Sequence, residues 1–444
     1  MRTFVIQNFG CRASQADGAA LESSLLRSGF GRAEAGGSPA DFVILNTCTV
    51  TAAADDDVRK AVRRAHRENP SAKIIVTGCY AQRAPEEVAA LPAVSMVVGN
   101  SHKNCLAELL VRPAVPFHGE IHMGEIHMGK IHVGDIFAQH EFLSSPVEEA
   151  GPDRSRPNLK IQDGCNNRCS FCVIPFVRGK SRSAPADQIV EQVSRLAERH
   201  AEVVLTGINL GRWGREPGIG MRLAGLLRRL LAETSIGRLR LSSVEPMDFS
   251  DDLLRLMSES PRIARHVHAP LQSGSDTVLR RMHRKYRPRH YEDRIQTARA
   301  LMPDCAVGAD VMAGFPGESA REFEETRAFI ERLPFTYLHV FPYSERPGTQ
   351  AAAIPAQVPQ TLRRERVRIL QELSARKNIE FRRAMAGRIL SAVTLQNGLS
   401  AMTTNYLKVD LCKPRAPREL IEVEIGSVSE AGLRERALLP VLSW

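Results

Sequence analysis

Three cysteines stand on one short loop, Cys165, Cys169 and Cys172 in GCNNRCSFC, a C-x3-C-x2-C spacing. Three thiolates from such a loop can ligate three irons of a cubane 4Fe-4S cluster and leave the fourth iron without a protein ligand. An open metal position is where a substrate binds. Zinc is the alternative, but it needs a fourth ligand, and no histidine stands at zinc-finger distance. A second set is dispersed: Cys11, Cys48 and Cys79 each fall at or just past the end of an apolar run, in TFVIQNFG, DFVILNTC and KIIVTGC. If those runs are parallel strands, their C-terminal ends line one crevice. The three thiols then meet as ligands of one cluster, or else serve as three small buried side chains. Cys105, Cys305 and Cys412 have no such setting and are read as packing.

The elements that must hold these residues follow from periodicity. Residues 1–116 alternate short apolar runs with helical patterns at 14–28, 55–68 and 84–91, which predicts an open parallel α/β sheet. In the first helix Ser14 reads as the N-cap, Leu21, Leu25 and Leu26 as one buried face, and Gly29 as the glycine just past the end. Residues 117–157 hold a tandem HGEI-HMGEI-HMGKI-HVGDI repeat, with His118, His122, His127 and His132, then a Pro-rich acidic stretch. The repeat reads as a linker or edge ribbon, with metal binding as the other reading. From 158 six further strand–helix units predict a partial (β/α)6 barrel, whose functional residues gather at the C-terminal strand ends. A basic helix over 360–386 carries Arg363, Arg364, Arg366, Arg368, Arg376, Arg382 and Arg383, and residues 387–444 suggest a small β-barrel. Arginine density beside a small β domain points to RNA phosphates.

Composition sets outer bounds. The 444 residues suit two or three domains, and a formal charge of +10 favours a polyanionic partner while fitting an ordinary basic protein. No signal-peptide pattern and no apolar run of about 20 residues is present, so a cytoplasmic location without a membrane partner is expected. Thiols in that compartment stay reduced, which favours metal or redox roles over disulfides.

The cysteine loop, placed after the first barrel strand, resembles that of the radical S-adenosylmethionine superfamily. The likeness extends over nearly the whole chain. NTCTVT at 46–51, VTGCYAQ at 76–82, LKIQDGCNNRCSFCVIPFVRGKSRS at 159–183, LQSGSD at 271–276 and GADVMAGFPGE at 308–318 occur in the order seen in the methylthiotransferases. That resemblance implies three parts: an N-terminal cluster domain, a radical barrel and a C-terminal TRAM domain. It implies two 4Fe-4S clusters, one on Cys165, Cys169 and Cys172 and a second on Cys11, Cys48 and Cys79, with S-adenosylmethionine chelated at the first. Ser242, Ser243, Gln272, Gly314 and Gly317 are the implied S-adenosylmethionine contacts, and Arg178 and Gly179 face substrate or serve an internal carboxylate. No catalytic residue is assigned beyond the clusters.

By the same resemblance the reaction is methylthio transfer to an adenine C2, a carbon whose hydrogen is not acidic enough for ordinary base catalysis. NTCTVT and the tRNA-type YSERPGT at 343–349 resemble the branch acting on N6-threonylcarbamoyladenosine 37 of tRNA. The alternatives are isopentenyladenosine in tRNA, an aspartate of ribosomal protein S12, or a non-catalytic metal-bearing RNA-binding module. The implied partners are tRNA, an electron donor such as flavodoxin or ferredoxin, and an unspecified sulfur donor. The TTNYLKVDL tail keeps part of the TRAM pattern.

Overall fold

The computed structural model describes residues 1–33, 39–111, 126–128, 130–139, 142, 155–429 and 432–437. Its first sheet contains β1 (Thr3–Asn8), β2 (Gly31–Arg32), β3 (Phe42–Thr47), β4 (Lys73–Gly78), β5 (Val94–Val98), β6 (Ile126–Met128) and β7 (Ile131–Val133), in the order β2-β1-β3-β4-β5-β7-β6. All pairings are parallel except the β6–β7 hairpin, where His127 stands opposite His132. The sheet edge is therefore supplied by the histidine repeat, which continues the sheet past residue 116. His118 and His122 lie outside the described residues. β3 is buried along its whole length, as expected of a central parallel strand covered on both faces.

The first helix, Arg12–Arg27, begins earlier than its sequence suggests. Cys11 occupies the N-cap position, and Ser14 lies inside the helix, buried and accepting a hydrogen bond from Arg178. Leu21 and Leu25 are buried but Leu26 is exposed, because a step of one residue turns it about 100° off the packed stripe. Gly29 follows the cap at φ +84°, and Phe30 N–H donates to the Leu25 carbonyl, closing a Schellman turn.

The second region is built on β8 (Asn158–Asp163), β9 (Arg182–Ser183), β10 (Glu202–Gly207), β11 (Arg238–Leu241), β12 (His266–His268), β13 (Ala306–Ala313) and β14 (Tyr337–Pro342). Pairings β8–β10–β11 and β12–β13–β14 are parallel. The β11/β12 seam is stitched by a Leu239–Ile263 bridge and by Val244 N–H donating to the His268 carbonyl. Six parallel strands in sequence order thus form one open arc, with β9 antiparallel on the outside of β8. The apolar stripe of the helix Ala186–Ala197, with Ile189, Val193 and Leu196, is buried against it.

The third region is a closed barrel of β15 (Ile389–Thr394), β16 (Ser400–Thr403), β17 (Lys408–Asp410), β18 (Leu420–Val428) and β19 (Leu433–Glu435). It docks on the N-terminal ends of the second region's strands. Arg240 donates to the carbonyls of Thr403 and Thr404, and Asn405 donates to the Asp304 carbonyl. The long helix Gln360–Arg383 joins the two regions, and part of its basic character is internal. Arg366 is buried on Glu318 at 2.6 Å, Arg363 donates to the Tyr343 and Val358 carbonyls, and Arg376 pairs with Glu331.

Arg240 also grips Glu202 at 2.7 Å, with Arg156 at 3.1 Å, all without solvent access at the carboxylate. Burial alone would raise the Glu202 pKa, but Arg240, Arg156 and Arg238 outweigh it and bring it down to about 2. An unfolded glutamate titrates near about 4.3, so this carboxylate stabilises the fold fully above that pH and its contribution disappears as pH falls towards 2. The difference in unfolding midpoint between wild type and Glu202→Gln should be constant from about pH 5 to 7 and shrink between about pH 4.3 and 2. Thermal unfolding followed by circular dichroism across that range reads it.

Candidate active site

Two cysteine triplets occupy the C-terminal strand ends of the first two regions. In the first sheet β1, β3 and β4 are neighbours, so Cys11, Cys48 and Cys79, each just past one of those strands, are brought together. Close approach is enforced by glycine. A Cβ on Gly10, at φ +96°, would stand 2.5 Å from the Cys48 Cβ, and one on Gly78, at φ +101°, would stand 2.5 Å from the Thr47 carbonyl. Burial pushes the Cys48 thiol up to about 12, and the nearby Cys79 and Cys11 thiols add to the shift. Asn100 Nδ2 donates to Cys79 Sγ at 3.5 Å and to the Val177 carbonyl at 2.8 Å, which ties this triplet to the segment following the other one.

Cys165, Cys169 and Cys172 follow β8. The Asn167 N–H and Asn209 Nδ2 donate to Cys165 Sγ at 3.4 and 3.8 Å, and Arg284 Nη1 donates to Cys169 Sγ at 3.3 Å. Burial, then the Cys169 thiol, pushes Cys172 up to about 12. N–H donors aimed at sulfur are what tunes an iron–sulfur cluster. Among the described residues, the set of three metal-capable side chains whose ligand atoms all lie within 4.8 Å of one another is His268, Asp310 and His339.

The triplets are linked by buried charge. Arg178, two per cent exposed, donates to Asp163 beside the cysteine loop and to Asp17 of the first helix at 2.9 Å. Burial disfavours its charge, but Cys79, Asp163, Asp17 and Cys11 together hold it firmly protonated. Gly179, at φ +74°, caps the short helix Ile174–Arg178 that carries Arg178. The sequence motifs NTCTVT and YSERPGT also meet: Arg346 donates to Thr49 at 2.9 Å and to Asp55 at 2.5 Å in a buried clamp.

Between the triplets and the third region lies a cavity of about 260 Å³ whose wall includes Cys11, Arg12, Ser242, Ser243, Asp310 and Tyr406. Alternate residues of β12 and β14, His266 and His268, Tyr337 and His339, face it, as the two-residue strand period requires. Ser243 shares a 2.7 Å hydrogen bond with His268 Nδ1, and Ser242 Oγ is buried without a hydrogen-bond partner among the described residues. Burial brings the His268 pKa down to about 4, so this imidazole is neutral at physiological pH. Gln272 stands just behind the wall in a left-handed conformation, φ +61°, its N–H on the Asp310 carbonyl. Gly314 and Gly317 do not line the cavity; each takes φ +74° in the turn after β13, where Gly314 packs on Arg363 and Gly317 N–H donates to the Ala356 carbonyl. Arg284, Glu245, Asn100, Asp17 and Arg12 are the site residues that sequence reasoning missed; each has its partner remote in sequence.

Residues 159–330 match the radical SAM superfamily and residues 3–99 match the uncharacterized protein family UPF0004. The radical S-adenosylmethionine methyltransferase TsrM of Kitasatospora setae shares the fold, with a TM-score of 0.58 at 14% identity over 79% of this chain and 77% of that one. Fold and site together define a radical SAM enzyme, with S-adenosylmethionine and a 4Fe-4S cluster as its cofactors. Among curated relatives, the threonylcarbamoyladenosine tRNA methylthiotransferase MtaB of Aquifex aeolicus is 38% identical over 91% of this chain and 95% of its own. Its namesake from Rickettsia prowazekii is 36% identical over 97% and 96%. The tRNA-2-methylthio-N(6)-dimethylallyladenosine synthase of Thermobifida fusca is 34% identical over 87% and 76%. The chain belongs to the threonylcarbamoyladenosine tRNA methylthiotransferase family. Among the described residues no helix is long and apolar enough to cross a membrane.

Proposed function

We propose that this enzyme transfers a methylthio group to C2 of N6-threonylcarbamoyladenosine 37 in tRNA, using a second 4Fe-4S cluster held by Cys11, Cys48 and Cys79. The observation that carries this reading is Cys11 in the wall of the radical barrel's own cavity: a sulfur-bearing centre on the N-terminal domain would open beside Ser242 and Ser243, which are assigned to S-adenosylmethionine. The bound cofactors supply radical chemistry at a carbon that acid–base catalysis cannot activate.

The chain's own residues position and shield. Cys165, Cys169 and Cys172 would hold the cluster that chelates S-adenosylmethionine, and Arg284, itself fixed by Glu245 at 2.5 Å, sets a cation against Cys169. Ser242 and Ser243 in the wall, Gln272 behind it, and the Gly314–Gly317 turn are assigned to S-adenosylmethionine binding. Arg178 sets a buried cation near Cys79 and Cys11. The closed C-terminal barrel and the exposed arginines of the preceding helix are assigned to tRNA, and electrons come from a small flavodoxin- or ferredoxin-type donor.

Nucleoside analysis of tRNA from cells lacking the gene tests the substrate. The 2-methylthio form of threonylcarbamoyladenosine should vanish while threonylcarbamoyladenosine accumulates. An unchanged level, in a strain without a second such enzyme, overturns the assignment, and loss of 2-methylthio-isopentenyladenosine instead would move the enzyme to the branch represented by the Thermobifida relative.

A further inference from the structure

Arg12 is the chain neighbour of Cys11, and its side chain lines both the 260 Å³ cavity and an adjoining one of about 630 Å³, so it forms part of the partition between them. The arginines around it are committed: Arg156, Arg238 and Arg240 all converge on Glu202. The carboxylate in the cavity wall, Asp310, is engaged by His339 at 3.2 Å. Arg12 pairs with no carboxylate among the described residues. It donates to the Tyr406 hydroxyl at 2.9 Å and lies over that ring at 5.7 Å, contacts that hold the guanidinium plane while leaving N–H groups of the fork for a ligand. Its charge reaches into the cavity, helping after burial to keep His266 and His268 neutral.

We infer that Arg12 is the specificity-determining residue that binds the carboxylate of the substrate's amino-acid substituent, with the cavity below Cys11 taking that substituent. This rests on the reading proposed above. A threonylcarbamoyl group hangs its carboxylate a few bonds from C6, in the same ring as the reacting C2, so an anion anchor belongs beside the sulfur-bearing centre and not remote from it. An uncommitted guanidinium there favours an anionic substituent and is left unpaired by a neutral one such as dimethylallyl. Discrimination of this kind, from a polar group stranded by the wrong substrate, is far stronger than a hydrophobic pocket achieves.

The test uses full-length enzyme with reconstituted clusters and anticodon stem-loop RNAs carrying threonylcarbamoyladenosine, its threonyl methyl ester, or isopentenyladenosine. Wild type should favour the acid over the ester by roughly ten- to hundredfold in kcat/KM, Arg12→Gln should bring that ratio close to one, and Arg12→Lys should keep part of it. Equal losses on acid and ester, or a ratio that survives Arg12→Gln, overturns the inference. Iron and sulfide are measured for every variant, and if Arg12→Gln is short of iron the acid-to-ester ratio of Arg12→Lys decides, an undiminished ratio counting against the inference. Wild type that methylthiolates only the isopentenyl RNA overturns the proposed substrate, and this assignment with it, an outcome distinct from wild-type discrimination that does not depend on Arg12.

Discussion

Alanine at Cys165, Cys169 or Cys172 should abolish both reductive cleavage of S-adenosylmethionine and methylthio transfer, while alanine at Cys11, Cys48 or Cys79 should abolish transfer alone. The asymmetry follows from position. The first triplet stands on the loop after β8 within the residues that match the radical SAM superfamily, and the second stands on a separate sheet. A cubane missing one of three ligands is lost from its loop, so each class of variant should retain about four of about eight irons per chain. Iron and sulfide analysis, 5′-deoxyadenosine release and product mass spectrometry separate the classes. Wild-type methylthio transfer by a Cys48→Ala protein, or full iron retention, would remove the second cluster from the mechanism.

Asp17→Asn should destabilise the protein by about 3–5 kcal/mol, the usual cost of leaving buried charge uncompensated. Asp17 accepts from Lys160 at 2.6 Å, Arg178 at 2.9 Å and Lys103 at 3.1 Å, and all four side chains are buried. Burial would raise its pKa, but the three cations outweigh that and hold the carboxyl well below the ordinary range. Without its charge, Lys103, Lys160 and Arg178 share Asp163 alone, a carboxylate that contacts only the last two. Because Asp17 and Lys103 belong to the N-terminal region and the other three to the radical barrel, the damage falls on the junction between the triplets. Denaturant unfolding should show the loss, and limited proteolysis should show earlier cleavage at that junction. A change under about 1 kcal/mol would mean that water reaches the network and screens it.

Arg178 illustrates how much of this was readable beforehand. Its position six residues after Cys172 was plain, but whether it faced substrate or an internal carboxylate depended on Asp17, 161 residues away. The same holds for Arg346 and Asp55, 291 residues apart. The basic helix was misleading in part, because charge density along a sequence says nothing about which arginines turn inward, as Arg366 does onto Glu318. Ser14 failed as an N-cap for a related reason: it lies inside the helix with its hydroxyl accepting from Arg178, while the exposed Cys11 takes the N-cap position without a side-chain capping bond.

By itself the sequence determined what local chemistry specifies: the three-thiol loop, the strand–helix rhythm that makes a parallel sheet and an open six-strand barrel, and the motif order that marks the methylthiotransferases. These are encoded at short range, in spacing and in period. Only the tertiary structure decided that Cys11 lines the radical barrel's cavity, that a buried five-charge network joins the two regions, and that Arg12 is left without a carboxylate among the described residues while its neighbours share Glu202. Such properties depend on which residues far apart in the chain come within a few ångströms, where Coulomb energies and desolvation costs are settled, and no local pattern records them.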